Sequence, residues 1–172
     1  MSPDAFIQMA MQLAWYKACG EFTATYETVL TRMFKHGRTE TLRSFSRESW
    51  RWVLSMIDPL SSVSVYIYLI PICKFNHLKN TDRFQLLQDA IASHSRRTRE
   101  AMTGRGFDRH LLGLRLLLRP LHDESANIFE DELFERSSRW RLSTSGLSAG
   151  LLFKGTGFGT VLRDGYGINC EY

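Results

Sequence analysis

The sequence predicts a layered domain of helices and strands, α/β or α+β in class. Three observations carry this. A capped, strongly apolar helix opens the chain, further helical stretches begin at Thr81 and Asp108, and period-two alternation over "RWRLSTS" marks a strand. The chain has 172 residues, 44% of them apolar and 23% charged, enough to bury a real core as one domain.

The first element is "SPDAFIQMAMQLAWYKACG". Ser2 can cap it, Pro3 suits the first helical position, Asp4 favours the positive end and Gly20 closes it. Phe6, Ala10, Leu13 and Ala14 form one apolar stripe, which Met9, Met11 and Trp15 widen almost all round. Such a helix is expected to be buried on most sides. "FTATYETVLTRMF" follows as a partly extended stretch. In "FKHGRTETLRS" an extended backbone would turn Thr39, Thr41 and Arg43 to one face and Arg38, Glu40 and Leu42 to the other. Two hydroxyls beside a guanidinium could hold a carboxylate, with Arg43 as its local partner; a solvated basic strand edge is the alternative.

"SRESWRWVLSMIDP" reads as a short helix ending before Pro59. The helix from Thr81 places Phe84, Leu87, Ile91 and Met102 on one face, and Arg96, Arg97 and Arg99 on or beside the other. Asp108 is placed to cap a third helix through "RHLLGLRLLL", stopped at Pro120. Near its start, His110 reads as a packed or capping histidine. In the strand "RWRLSTS", Trp140, Leu142 and Thr144 share one face and Arg141, Ser143 and Ser145 the other, the serines reading as edge hydroxyls facing water. The tail "GTGFGTVLRDGYGINCEY" is a glycine-rich turn followed by a strand.

Several functions are disfavoured. A net charge of +4 fits an anionic ligand but is weak for nucleic acid, and no aromatics interleave the arginines at 96–99. Three cysteines and five histidines lie scattered, without CxxC or HExxH spacing, so neither a metal site nor a disulfide framework is expected. "GTGFGT" departs from GxGxxG at Thr160, and GxSxG is absent. The opening "MSPDAFIQMA" lacks the basic start of a signal peptide. The longest apolar run, "VSVYIYLIPIC", is about half the ~20 residues of a membrane-spanning helix.

The blocks "SPDAFIQMAMQLA", "TYETVLTRMFKHGRTETLRS", "GFDRHLLGL", "LSTS" and "DGYG", in that order, resemble the C-terminal half of the choline/carnitine O-acyltransferase family. Within the family, "FKHGRTETLRS", "RWVLSMIDP" and "LFERSS" look closest to the peroxisomal carnitine octanoyltransferases. The resemblance implies a chloramphenicol acetyltransferase-like, coenzyme A-dependent fold, with helices packed on a mixed sheet. It implies carnitine and an acyl-coenzyme A thioester as substrates, no bound cofactor, and a peroxisomal or mitochondrial location. A non-catalytic binding or scaffold protein that keeps the shell of this fold is the alternative.

The same resemblance distributes roles over this sequence. Tyr26 and Thr39 would hydrogen-bond the carnitine carboxylate, Thr28 would sit beside them, and Arg109, rather than Arg43, would supply the charge. Ser145 would meet the carnitine oxygen or the tetrahedral intermediate, and Phe158 would face the trimethylammonium group. Asp4 and Arg96 would belong to the coenzyme A site, and Thr156 would open the acyl pocket where short-chain members carry methionine. Gly146 stands where the family commonly has glutamine, and Ser95 where it often has a basic residue. The family's catalytic histidine, its lysines before "SPD" and its last strands would fall outside residues 1–172, so a partial acyltransferase domain is expected. Residues 63–79, "VSVYIYLIPICKFNHLK", interrupt the match. Their AT-rich codon character, and borders that GTAAGT and ACAG could encode, read as a translated intron; a buried β-strand is the alternative.

Overall fold

The computed structural model describes residues 1–57, 78–118, 125–146 and 157–170. The proposed insertion at 63–79 falls outside them except for Leu78 and Lys79, as does Thr156. Two compact units are present: Met1–Phe22 with Ser44–Arg96, and Thr23–Arg43 with Arg97–Tyr172.

The first unit contains α1 (Pro3–Cys19), α2 (Arg47–Ser55) and most of α3 (Asn80–Met102). Helix α1 begins where the Ser2 hydroxyl accepts the Ala5 N–H and ends at Gly20, whose φ of 72° is the left-handed conformation that favours glycine. Its buried residues are Ala5, Gln8, Met9, Gln12, Trp15 and Tyr16, one face at helical spacing. The expected stripe is therefore corrected: Phe6, Ala10 and Ala14 are exposed, and Leu13 is half-buried. A helix apolar nearly all round has no single face that hydrophobicity selects, so its packing partners decide. Those partners are Trp52, Val53 and Leu54 of α2, with Ala90 and Ile91 of α3. Helix α2 starts with a reciprocal cap, Ser49 N–H donating to the Ser46 hydroxyl and Ser46 N–H to that of Ser49.

Helix α3 meets the expectation in part: Ile91 is buried in the core and Leu87 packs against it, whereas Phe84 and Met102 are exposed. Ala90, Ser93 and His94 are buried as well. Small side chains occupy much of the close approach, and a search for large apolar residues passes over them. Arg96 and Arg99 are exposed as expected, and Arg97 is half-buried. Among the described residues, no helix is long and apolar enough to cross a membrane.

The second unit is built on a four-stranded mixed sheet of order β2-β1-β3-β4: β1 (Thr25–Leu30), β2 (Thr39–Arg43), β3 (Leu142–Ser145) and β4 (Tyr166–Asn169). The hairpin of β1 and β2 is antiparallel, while β3 runs parallel to both β1 and β4. Helix α4 (Asp108–Leu117) packs against β2, and the short α5 (Asn127–Glu130) and α6 (Glu132–Ser137), not foreseen from the sequence, precede β3. The mixed α/β class is confirmed.

Candidate functional site

The registry of the sheet gathers polar side chains onto one face. Tyr26 pairs with Arg43 and Ser143, Thr28 with Thr41, Leu30 with Thr39, and Ser143 and Ser145 with Gly167 and Asn169. Directly paired residues share a face, so Thr39, Thr41, Arg43, Tyr26, Thr28, Ser143 and Ser145 project to the same side. The expected common face of Thr39, Thr41 and Arg43 is thereby observed.

Arg109 comes to this face from the first turn of α4. Its Nη2 donates to the Tyr26 hydroxyl at 3.1 Å and to Thr39 Oγ1 at 3.5 Å. Thr28 Oγ1 donates to the same Tyr26 oxygen at 3.1 Å. Four residues thus form one cluster of hydroxyls around an exposed guanidinium. Such a cluster can bind a carboxylate through a charge-assisted contact supported by neutral donors.

The arginine chosen locally in the sequence is committed elsewhere. Arg43 Nε donates to Asp108 Oδ2 at 3.0 Å, its Nη2 to Oδ1 at 2.7 Å, and its Nη1 to the Ser137 carbonyl at 2.8 Å. Its guanidinium carbon also lies 4.7 Å from the centre of the Trp140 ring. With its donors held in this fork, Arg43 is a structural anchor rather than the carboxylate partner. The same pair corrects the expected cap. Asp108 is the first residue of α4, Phe107 occupies the capping position without a side-chain hydrogen bond, and the Asp108 carboxylate faces Arg43. His110 is exposed rather than packed.

Beside the cluster lies a cavity of about 340 Å³ lined by Tyr26, Thr28, Ser143, Ser145, Gly157, Phe158, Val161 and Asn169. Ser145 is 7% exposed and Ser143 1%, so these are interior hydroxyls and not edge hydroxyls facing water. The Ser145 carbonyl accepts the Cys170 N–H at 2.9 Å, tying β3 to the end of β4. Phe158 lies against Gly167, where a Cβ would approach its ring edge to 3.3 Å. Tyr26 joins the two groups, touching Arg109 and lining the cavity.

Asp4 and Arg96 belong to the first unit, Asp4 half-buried in the first turn of α1 and Arg96 exposed on α3. Sequence reasoning missed the supporting role of Glu40. This residue is 7% exposed, and its Oε1 accepts the N–H groups of Thr41 at 2.7 Å and Arg109 at 3.2 Å. It also missed the pairing of Arg43 with Asp108, which lies 65 positions away. Opposite charge was the signal, and many other carboxylates offered it.

A family model for choline/carnitine O-acyltransferase matches residues 1–171. The chain is 39% identical over 175 residues to rat peroxisomal carnitine O-octanoyltransferase, covering 95% of this chain and 26% of that protein. It is 39% identical over 180 residues to the human liver isoform of carnitine O-palmitoyltransferase 1, with coverage of 98% and 21%. Human carnitine O-acetyltransferase is also 39% identical over 171 residues, with coverage of 98% and 24%. The chain therefore spans about a quarter of the length of these relatives. A match to the family model along nearly its whole length, on a mixed α/β scaffold, places this chain in the choline/carnitine O-acyltransferase family.

Proposed function

We propose that this chain supplies the carnitine-recognition segment of a carnitine O-acyltransferase, in which an acyl group passes between coenzyme A and carnitine. The observation that carries the reading is the convergence of Arg109, Tyr26 and Thr39, joined through Tyr26 to Thr28. Arg109 is the charged partner of the carnitine carboxylate, and the hydroxyls orient it. Phe158 presents an aromatic face to the trimethylammonium cation from the adjoining cavity. Ser145, on the same cavity wall, meets the oxygen at which charge develops when carnitine attacks the thioester. The general base for that attack is assigned to no residue of this chain.

Asp4 and Arg96 are assigned to coenzyme A, which enters as the thioester substrate, and the scaffold is part of a chloramphenicol acetyltransferase-like fold. Thr156 is assigned to the acyl pocket by the family resemblance, and a small side chain at that position would favour medium-length tails. The octanoyltransferase relatives carry "peroxisomal" in their names, which supports a peroxisomal location; the family resemblance equally accommodates the mitochondrion.

The test is titration of the chain with L-carnitine, followed by NMR at Tyr26, Thr39 and the Arg109 guanidinium. Arg109→Ala should weaken carnitine by about 10- to 150-fold, the equivalent of a charge-assisted hydrogen bond. Choline, which lacks the carboxylate, should be indifferent to the change. Carnitine that fails to bind, or binds Arg109→Ala equally well, defeats the proposal.

A further inference from the structure

We infer that Glu40 is a positioning residue for Arg109, serving as a helix cap supplied from a neighbouring strand. The inference rests on the reading of Arg109 as the carboxylate partner. Helix α4 begins with its first N–H groups lacking an intrahelical acceptor, as every α-helix does. The residue at its capping position, Phe107, offers no side-chain acceptor. Glu40 supplies one: its Oε1 receives the Arg109 N–H at 3.2 Å. The same oxygen receives the Thr41 N–H at 2.7 Å, on strand β2 at the edge of the sheet. One buried carboxylate therefore joins the outer edge of the sheet to the start of α4, where negative charge also suits the helix dipole.

Two further observations make this tie specific. Gly106 runs flush against Glu40, since a Cβ there would overlap the Glu40 Cγ. Only a glycine lets the chain approach the carboxylate so closely before the helix starts. The next residue after Phe107, Asp108, is held by Arg43 of the same strand at 2.7 Å. Strand β2 thus acts on Arg109 three times: Thr39 touches its guanidinium, Glu40 holds its backbone, and Arg43 holds its neighbour. Acting through the backbone, Glu40 sets where the guanidinium emerges without itself occupying the space around it.

The experiment compares the 172-residue chain with Glu40→Ala, Glu40→Gln and Gly106→Ala. It reads hydrogen exchange of the Arg109 backbone N–H, the Arg109 Nε–H resonance, and L-carnitine affinity, with circular dichroism as the check on folding. In Glu40→Ala, exchange of the Arg109 N–H should rise about tenfold and carnitine affinity fall about fivefold, with choline affinity unchanged. Glu40→Gln keeps the Oε1 acceptor and should recover most of both. Gly106→Ala, with Glu40 intact but displaced, should reproduce the loss. If Glu40→Ala does not fold, Glu40→Gln and Gly106→Ala decide between them. An Arg109 N–H and Nε–H unchanged in folded Glu40→Ala, or in Gly106→Ala, overturns the inference. Carnitine binding that survives Arg109→Ala instead overturns the assignment of Arg109, while the exchange measurement still decides whether Glu40 positions it.

Discussion

Arg43 and Asp108 should be coupled strongly enough to measure, because their contact is bidentate, supported and largely screened from water. The two side chains are 22% and 13% exposed, and Arg43 makes a further hydrogen bond to the Ser137 carbonyl. Removing one partner of a fully buried pair costs about 3–5 kcal/mol, whereas exposed pairs are worth about 0–1 kcal/mol. Partial exposure places Arg43→Ala between these, at about 2–3 kcal/mol, with loss of the stacking on Trp140 included. Asp108→Ala should cost slightly less, because Arg43 retains Ser137 and the ring. In the double variant the losses should fall short of additivity by about 2 kcal/mol. Urea unfolding followed at 5-fluorotryptophan in place of Trp140 reads the second unit separately from the tryptophans of α1 and α2. A coupling below about 0.5 kcal/mol, or one abolished by 0.5 M salt, would show an ordinary surface pair and refute the reasoning.

Tyr16 offers a pH test. Burial raises its phenol above the ordinary value, so the folded state holds this proton more tightly than the unfolded chain does. That contribution is complete below about pH 10 and is lost as pH rises further; a melting-temperature decline above pH 10 should therefore be shallower in Tyr16→Phe. Its hydroxyl has no hydrogen-bond partner among the described residues, so at neutral pH Tyr16→Phe should be neutral or stabilising by about 1 kcal/mol in urea unfolding. Ser145→Ala, with the remaining acyltransferase segments supplied from the rat octanoyltransferase, should lower turnover by the equivalent of roughly 3 kcal/mol while leaving carnitine affinity nearly intact. An equal loss in affinity and turnover would count against an oxyanion role. Thr156→Met in the same chimera should shift preference from octanoyl- toward acetyl-coenzyme A, and an unchanged ratio of the two rates would defeat the assignment of Thr156 to an acyl pocket.

Local chemistry was legible in the sequence at several places where the signal was itself local, though not at Asp108, which begins α4 instead of capping it. Ser2, Pro3 and Gly20 delimited α1 because capping and positive φ are decided within a few residues. The common face of Thr39, Thr41 and Arg43 followed from strand alternation alone. Which guanidinium stays available was not legible, because it depends on a carboxylate 65 positions away and on a tryptophan beyond it. Family resemblance supplied Arg109 where spacing offered Arg43. Glu40 was hidden differently: alternation turns it away from the polar face, yet at an edge strand its side chain reaches an adjacent N–H and a helix start. The buried face of α1 was missed because its interior positions include Gln8 and Gln12, while Phe6 and two alanines face outward.

The parallel pairing of β1 with β3 has a consequence for how the second unit assembles in time. The Thr144 hydroxyl donates to the Tyr26 carbonyl across 118 positions of sequence, and the intervening chain includes most of the first unit. The hairpin of β1 and β2 can form early from neighbouring residues, but the inner edge of β1 must then wait for a partner made much later. Closing so long a loop costs entropy before the contact returns any, so sheet completion should be slow and late. On a ribosome, Tyr26, Thr28 and Thr39 would emerge well before Ser145 and Phe158, leaving an unpaired strand edge exposed to other chains during synthesis. The polar face of the sheet is thus begun at Tyr26 and finished only once Ser143 and Ser145 have been made.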